Sequence, residues 1–215
     1  MNARAQAAKN AAILAMAHDV LAEQQSADFA ADVTKDALAE LATLMEQIPD
    51  PEMMVLRGFS HGAMPYLALY LALAKRGWSA QQVWPIAETA LRRQIRSYPA
   101  FARKSVGKAM IYSWPIKRMY RTHAERSQRE RPGGWSWEWV EGDDGGYGVN
   151  FTSCPIQEVA KQSGAGEFGR YICLLDKVMS EELGWGLRRT TTIAGGGTRC
   201  DFRFRKGAAT DISAE

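Results

Sequence analysis

The sequence predicts an α+β protein in which a helical N-terminal part packs with a C-terminal four-stranded antiparallel sheet and its covering helices. Two observations carry this expectation. Up to about residue 130, apolar residues recur every three or four positions, the period of a helix with one buried face. Beyond Gly134 the period falls to two, with Trp135, Trp137 and Trp139 alternating with Ser136 and Glu138. The change falls at Arg131-Pro132-Gly133-Gly134, which divides one compact unit into a helical region 1–131, an α+β region 132–207 and a short tail 208–215. The tail is small and polar, so it is expected to fray.

Taken in order, the Ala-rich stretches from about Ala3 to Gln24 and from about Ala27 to Gln47 read as helices, with Ile13, Met16 and Val20 and then Leu38, Leu41 and Leu44 on their apolar faces. Pro49 and Pro51 stop the second. The run from His61 to Lys75 is apolar on nearly every side and reads as a central, buried helix. Ser79 caps another helix reaching about Tyr98, with Pro85 tolerated near its first turns. A further helix starts after Pro99 and is interrupted near Pro115. In the last part, Tyr147, Val149 and Phe151 continue the period of two, so Glu141–Gly146 is a hairpin loop. A helix from about Phe168 to Leu183 follows. Leu187–Ile193 and Thr198–Arg205 then flank Ala194-Gly195-Gly196-Gly197 as a second hairpin, which directs Cys200, Phe202 and Phe204 to one face.

The chain has 215 residues, of which 46% are hydrophobic and 24% charged, enough apolar material for a real core. No apolar run approaches the length of a membrane span, and the start Met1-Asn2-Ala3-Arg4 has no secretory signature, so the expected location is cytoplasmic, with no membrane partner. The formal net charge of +3 hides an uneven distribution. Residues 92–131 carry 12 Lys/Arg against Glu125 and Glu130, a local +10, while the remaining 15 basic and 22 acidic residues give −7. Such a stripe can meet nucleic acid. Without a nucleic-acid motif beside it, the expectation is solvated helix faces answered by acids elsewhere, no nucleic-acid partner, and a small-molecule substrate; a homo-oligomer is compatible with the composition.

Three cysteines, Cys154, Cys173 and Cys200, form no CxxC pair and fit reduced thiols better than a disulfide framework. Cys154 ends a strand and precedes Pro155, a residue favoured at the first helical position. A thiol at a helix N-cap gains thiolate character from the unpaired amides and the dipole; the competing reading is a cysteine packed beneath the helix. Asp176 shares an apolar helix face with Ile172, Leu175 and Met179, where a carboxylate is costly unless paired. It is either a general acid/base or substrate-amine anchor, or a buried partner of Arg189 or of backbone amides. Cys200 sits between a glycine turn and Phe202, where packing is the commoner use. No cofactor is required by the sequence; a soft metal site built from Cys200, Cys154 and Cys173 is an alternative that would activate water. His61, at the head of the buried helix, either closes over the site or serves as a cap or core residue.

Tyr147-Gly148-Val149-Asn150-Phe151-Thr152-Ser153-Cys154-Pro155, then Cys173-Leu174-Leu175-Asp176, Leu183-Gly184, and Arg189-Thr190 through Gly195-Gly196-Gly197-Thr198-Arg199-Cys200-Asp201-Phe202 together resemble the L-2-amino-thiazoline-4-carboxylic acid hydrolase family. The resemblance rests on the order and spacing of these segments and covers the last third of the chain; Ala63–Gly77 and Ser79–Arg93 are similar to the family's helical part. Family members often carry a basic residue before the Cys-Pro pair, where this chain has Ser153. The resemblance implies a hydrolase that opens a small heterocycle at a C–N or C–S bond, with Cys154 as nucleophile, Asp176 as proton-transfer partner, Arg189 on a substrate carboxylate, and Asn150, Cys200 and His61 as further substrate-binding residues. A looser similarity of the C-terminal pattern to vinyl-reductase-like binding domains implies instead a non-catalytic small-molecule sensor.

Overall fold

The computed structural model describes residues 3–51, 53–130, 134–143 and 145–212. The element order is α1 (Ala3–Gln24), α2 (Ala27–Gln47), α3 (Met54–Ala74), α4 (Ala80–Arg96), α5 (Ala100–Tyr112), α6 (Trp114–Glu130), β1 (Ser136–Glu141), β2 (Tyr147–Ser153), α7 (Pro155–Gln162), a 3-10 turn at Gly166–Phe168, α8 (Gly169–Leu183), β3 (Leu187–Arg189), β4 (Cys200–Phe204) and β5 (Asp211–Ile212). Residues 131–133, where the sequence changes period, lie outside the described residues. Among those described, no helix is long and apolar enough to cross a membrane.

Contacts group the chain into two units that do not follow chain order: Met1–Gln94 with Ile156–Ile172, and Ile95–Pro155 with Cys173–Glu215. The first unit is helical. Ser26 starts α2 by accepting a hydrogen bond from the Phe29 amide, and Ser79 and Gln82 exchange bonds at the start of α4, a reciprocal cap that satisfies amides the helix cannot. Helix α3 packs against both α1 and α2 and buries Met64, Leu67, Ala68 and Leu73 completely. Full burial of a leucine such as Leu67 contributes about 2 kcal/mol. This helix begins at Met54, some two turns before His61, because Gly58 is carried within it rather than ending it. Tyr70 stacks on Phe168 at 4.9 Å, tying α3 to the segment that precedes α8.

The second unit holds the sheet. Its order is β1-β2-β4-β3-β5, with five strands rather than four. The additional strand comes from the tail: Asp211 and Ile212 pair in parallel with Arg188 and Arg189, which makes the sheet mixed rather than antiparallel. The second hairpin is also looser than the sequence suggests. Strand β3 ends at Arg189 and β4 begins at Cys200, since Asp201 draws the Thr190 and Thr191 amides onto its carboxylate and takes them out of the ladder. The interruption near Pro115 falls at Ser113, and Pro115 is then the second residue of α6.

Register assigns the two faces of the sheet. Trp137, Trp139, Tyr147, Val149, Phe151, Cys200, Phe202, Phe204, Leu187 and Arg189 share one face. Helices cover it: the Trp137 indole donates to the Tyr120 carbonyl of α6, and the Tyr147 hydroxyl to the Ile111 carbonyl of α5. At Gly107 a Cβ would sit 2.3 Å from the Leu183 carbonyl oxygen, so only glycine lets α5 lie this close to the end of α8. Glu138, Asn150, Asp201, Arg203 and Arg188 occupy the other face.

Candidate active site on the aromatic face of the sheet

Strand β3 and helix α8 bring Arg189 and Asp176 together. The guanidinium Nη1 donates to Asp176 Oδ2 at 3.0 Å and Nη2 to the Cys173 carbonyl at 3.0 Å, while its plane lies 5.2 Å from the Phe202 ring centre. The Arg189 side chain is 1% exposed and that of Asp176 is 25% exposed. A fully buried guanidinium is tolerated because a carboxylate, a carbonyl and a ring face replace its water. The charge anticipated on the apolar face of α8 is therefore answered by Arg189.

Cys173 is a buried thiol on α8, three residues before Asp176. Burial pushes its thiol well above the ordinary value; Arg189 opposes that shift, and Asp176, Cys154 and Cys200 add to it. Arg189, Asp176, Cys154 and Cys200 all act electrostatically on this one sulfur, and on that ground the five residues are grouped as a candidate cluster within the second unit. Burial also raises the Tyr120 phenol, with a further contribution from Asp176. The thiols differ in access: Cys154 is partly exposed, whereas Cys173 and Cys200 are buried. Cys200 Sγ accepts a hydrogen bond from the Ile193 amide at 3.2 Å. Cys154 directly precedes Pro155, the first residue of α7, which is the N-cap position expected from the sequence.

Of the residues singled out from the sequence, Asn150 stands apart from this cluster and His61 belongs to the other unit. Asn150 is on the opposite face of the sheet, where its amide nitrogen donates to Glu138 and its oxygen accepts from Arg203. His61 belongs to the first unit, on α3, with Nε2 3.9 Å from Asp50 Oδ1. Cys173, named in the sequence as a possible soft metal ligand with Cys154 and Cys200 and as a neighbour of Asp176, is a buried thiol whose backbone carbonyl accepts from Arg189. The signal for it was its position three residues before Asp176 on the same helix. Among the described residues, no group of three or more His, Cys, Asp and Glu side chains is arranged to hold a metal ion.

Several of the cations of residues 92–131 meet acids, while Lys104 and Lys117 donate to backbone carbonyls. Arg93 bonds Glu23, Arg96 and Arg103 converge on Glu182, and Arg121 meets Glu141.

Fold and site together define an α+β protein whose second unit carries one partly exposed thiol, two buried ones, and a buried arginine paired with a partly exposed aspartate. The chain belongs to the L-2-amino-thiazoline-4-carboxylic acid hydrolase family, whose model matches residues 57–204 and so takes in every member of the cluster. The family's name denotes a hydrolase. Comparison with curated proteins and with solved structures returned no match.

Proposed function

We propose that the protein is a hydrolase that opens a small heterocycle of the thiazoline or cyclic-amide kind, using Cys154 and Asp176. The observation that carries this reading is the gradient of access in the cluster. Cys154 is the partly exposed thiol, it precedes a helix N-terminus, and the Asp176 carboxylate, which acts with it on the Cys173 sulfur, is held by Arg189 with a quarter of its side chain open to solvent. A nucleophile needs both access and a base oriented by a third group.

In this mechanism Asp176 accepts the proton of the Cys154 thiol as Sγ adds to the amidine-like ring carbon. The ring C–S or C–N bond then breaks, its electron pair leaves with the ring heteroatom, and that atom takes the proton back from Asp176. Water adds to the carbon now bonded to Cys154, again giving its proton to Asp176. The C–Sγ bond breaks, and the proton returns to the thiol. The sum is substrate plus one water giving one ring-opened product. Arg189, buried and committed to Asp176 and the Cys173 carbonyl, acts in this reading as a positioning residue rather than as the anchor of a substrate carboxylate.

Mass-spectrometric detection of ring-opened product tests the proposal, with wild-type and Cys154→Ala proteins offered 2-amino-thiazoline-4-carboxylate and related cyclic amides. Product from the wild type alone is the expected result. Turnover that survives in the alanine variant would remove Cys154 from the mechanism; absence of product with every substrate, alongside saturable binding, would favour the sensor reading.

A further inference from the structure

The polar face of the sheet holds an arginine in unusual company. The other strongly paired arginines of the second unit meet carboxylates: Arg189 meets Asp176, and Arg96 and Arg103 meet Glu182. Arg203 instead donates to two neutral oxygens, the Phe202 carbonyl at 2.8 Å and Asn150 Oδ1 at 2.9 Å. Neutral acceptors orient a guanidinium without cancelling its charge. The orientation is itself prepared: Glu138 accepts from the Asn150 amide nitrogen at 3.3 Å, which turns the amide oxygen toward Arg203. Gly148, directly opposite Arg203 in the ladder, makes room for it, since a Cβ there would lie 2.7 Å from Arg203 Cδ and 2.9 Å from Nη1. Arg188, paired with Arg203 on the other side, also lies on this face, with its Nε 3.8 Å from Asp211 Oδ2 and its charge partly answered there. Asp201, the nearby acid, already accepts from both Thr190 donors and the Thr191 amide.

We propose that this face carries an anion-binding site centred on Arg203, built for the carboxylate or phosphate group of a small ligand and distinct from the thiol cluster on the opposite face. Burial lowers the Arg203 pKa, with Asp201 opposing and Arg199 adding to the shift, as expected of a guanidinium partly removed from water and not fully compensated. A planar fork with donors remaining suits an oxyanion in a way that a lysine would not. Arg203 is on β4, the middle strand of the sheet, so a small substrate at the thiol cluster cannot reach it around an edge.

The test uses the wild-type protein and an arginine-specific reagent, phenylglyoxal, with modification at each arginine read by peptide mass spectrometry. Inorganic phosphate and malonate are compared with chloride at matched ionic strength. The expected result is slower modification of Arg203 in phosphate or malonate, by roughly fivefold or more, with Arg205 unaffected. Protection by phosphate alone identifies a tetrahedral ligand group, and protection by malonate alone a planar carboxylate. Calorimetry of the protecting anion should show a loss of roughly tenfold or more in affinity for Arg203→Gln, a smaller loss for Asn150→Ala, and no change for Cys154→Ala. Equal modification in all three salts, or equal protection of Arg205, would overturn the proposal even if Arg203→Gln could not be folded. The outcome for Cys154→Ala keeps this site separate from the hydrolase reading.

Discussion

Helix α8 holds two carboxylates in different company. Near its C-terminal end, Glu182 is 7% exposed and lies between Arg96 at 2.7 Å and Arg103 at 2.8 Å. Less than two turns earlier, Asp176 is 25% exposed and meets Arg189 at 3.0 Å. Two guanidinium groups saturate the first carboxylate and turn it into a brace between α8, α5 and the end of α4. The second is oriented by its arginine yet still reachable by solvent, which is the condition for moving a proton. The same helix thus serves architecture at one end and, in the reading advanced above, chemistry in the middle.

The largest effect that would sharpen this contrast belongs to Cys154. Its replacement by alanine should cut turnover by about a thousandfold or more, roughly 4 kcal/mol of transition-state stabilisation, while leaving the thermal midpoint nearly unchanged. Glu182→Ala should do the reverse. It leaves the half-buried Arg103 without its carboxylate and should cost about 2 kcal/mol of stability in urea unfolding, with the more exposed Arg96 adding little. Its turnover per folded molecule should match the wild type. Next in size is Asp176→Asn, expected to slow turnover by about a hundredfold. Were this variant to lower stability as much as Glu182→Ala and leave the rate intact, the division between brace and base would be lost.

Two smaller effects concern pH. The Tyr112 hydroxyl donates to the Trp185 carbonyl at 2.5 Å, and burial raises its pKa to about 12 from 10.0. A raised folded pKa means stability that is complete below pH 10.0 and lost as pH climbs toward about 12, because the unfolded chain ionises first. Tyr112→Phe should flatten that alkaline limb in a series of unfolding curves. For Asp201, burial raises the pKa, but the bonds from Thr190 and Thr191 outweigh it and the carboxyl ends below its ordinary 3.8. The sign is opposite to that of Tyr112: stability is present above that value and lost as pH falls below it. Asp201→Asn should remove this acid dependence, a shallow one for a partly exposed group.

Much of the architecture is written in local pattern. The bounds of α1 and α2 follow from alanine content and the prolines after Gln47, and α7 from the Cys-Pro junction. Strand β5 could not be read that way, since two residues in a polar tail carry no period and acquire meaning only from pairing with β3. The first two turns of α3 were hidden by Gly58, a breaker in isolation and acceptable in a helix packed on two others. The ion pair of Asp176 and Arg189 was legible as one of two alternatives, because a carboxylate on an apolar face demands a partner. Arg203 was not, since a charge at an alternating strand position looks like any solvent-facing residue until register shows what lies opposite. Asn150 was singled out as a substrate residue, and only the sheet shows that it and Cys200 point to opposite faces.

The graded burial of the three thiols also makes the cluster a built-in depth gauge. A small alkylating reagent should label Cys154 in the native ensemble. The Cys173 sulfur, protonated and enclosed, should react only when α8 lifts from the sheet. Its labelling rate would then report the free energy of that local opening without any introduced probe, and a ligand that settles on the aromatic face should slow the clock.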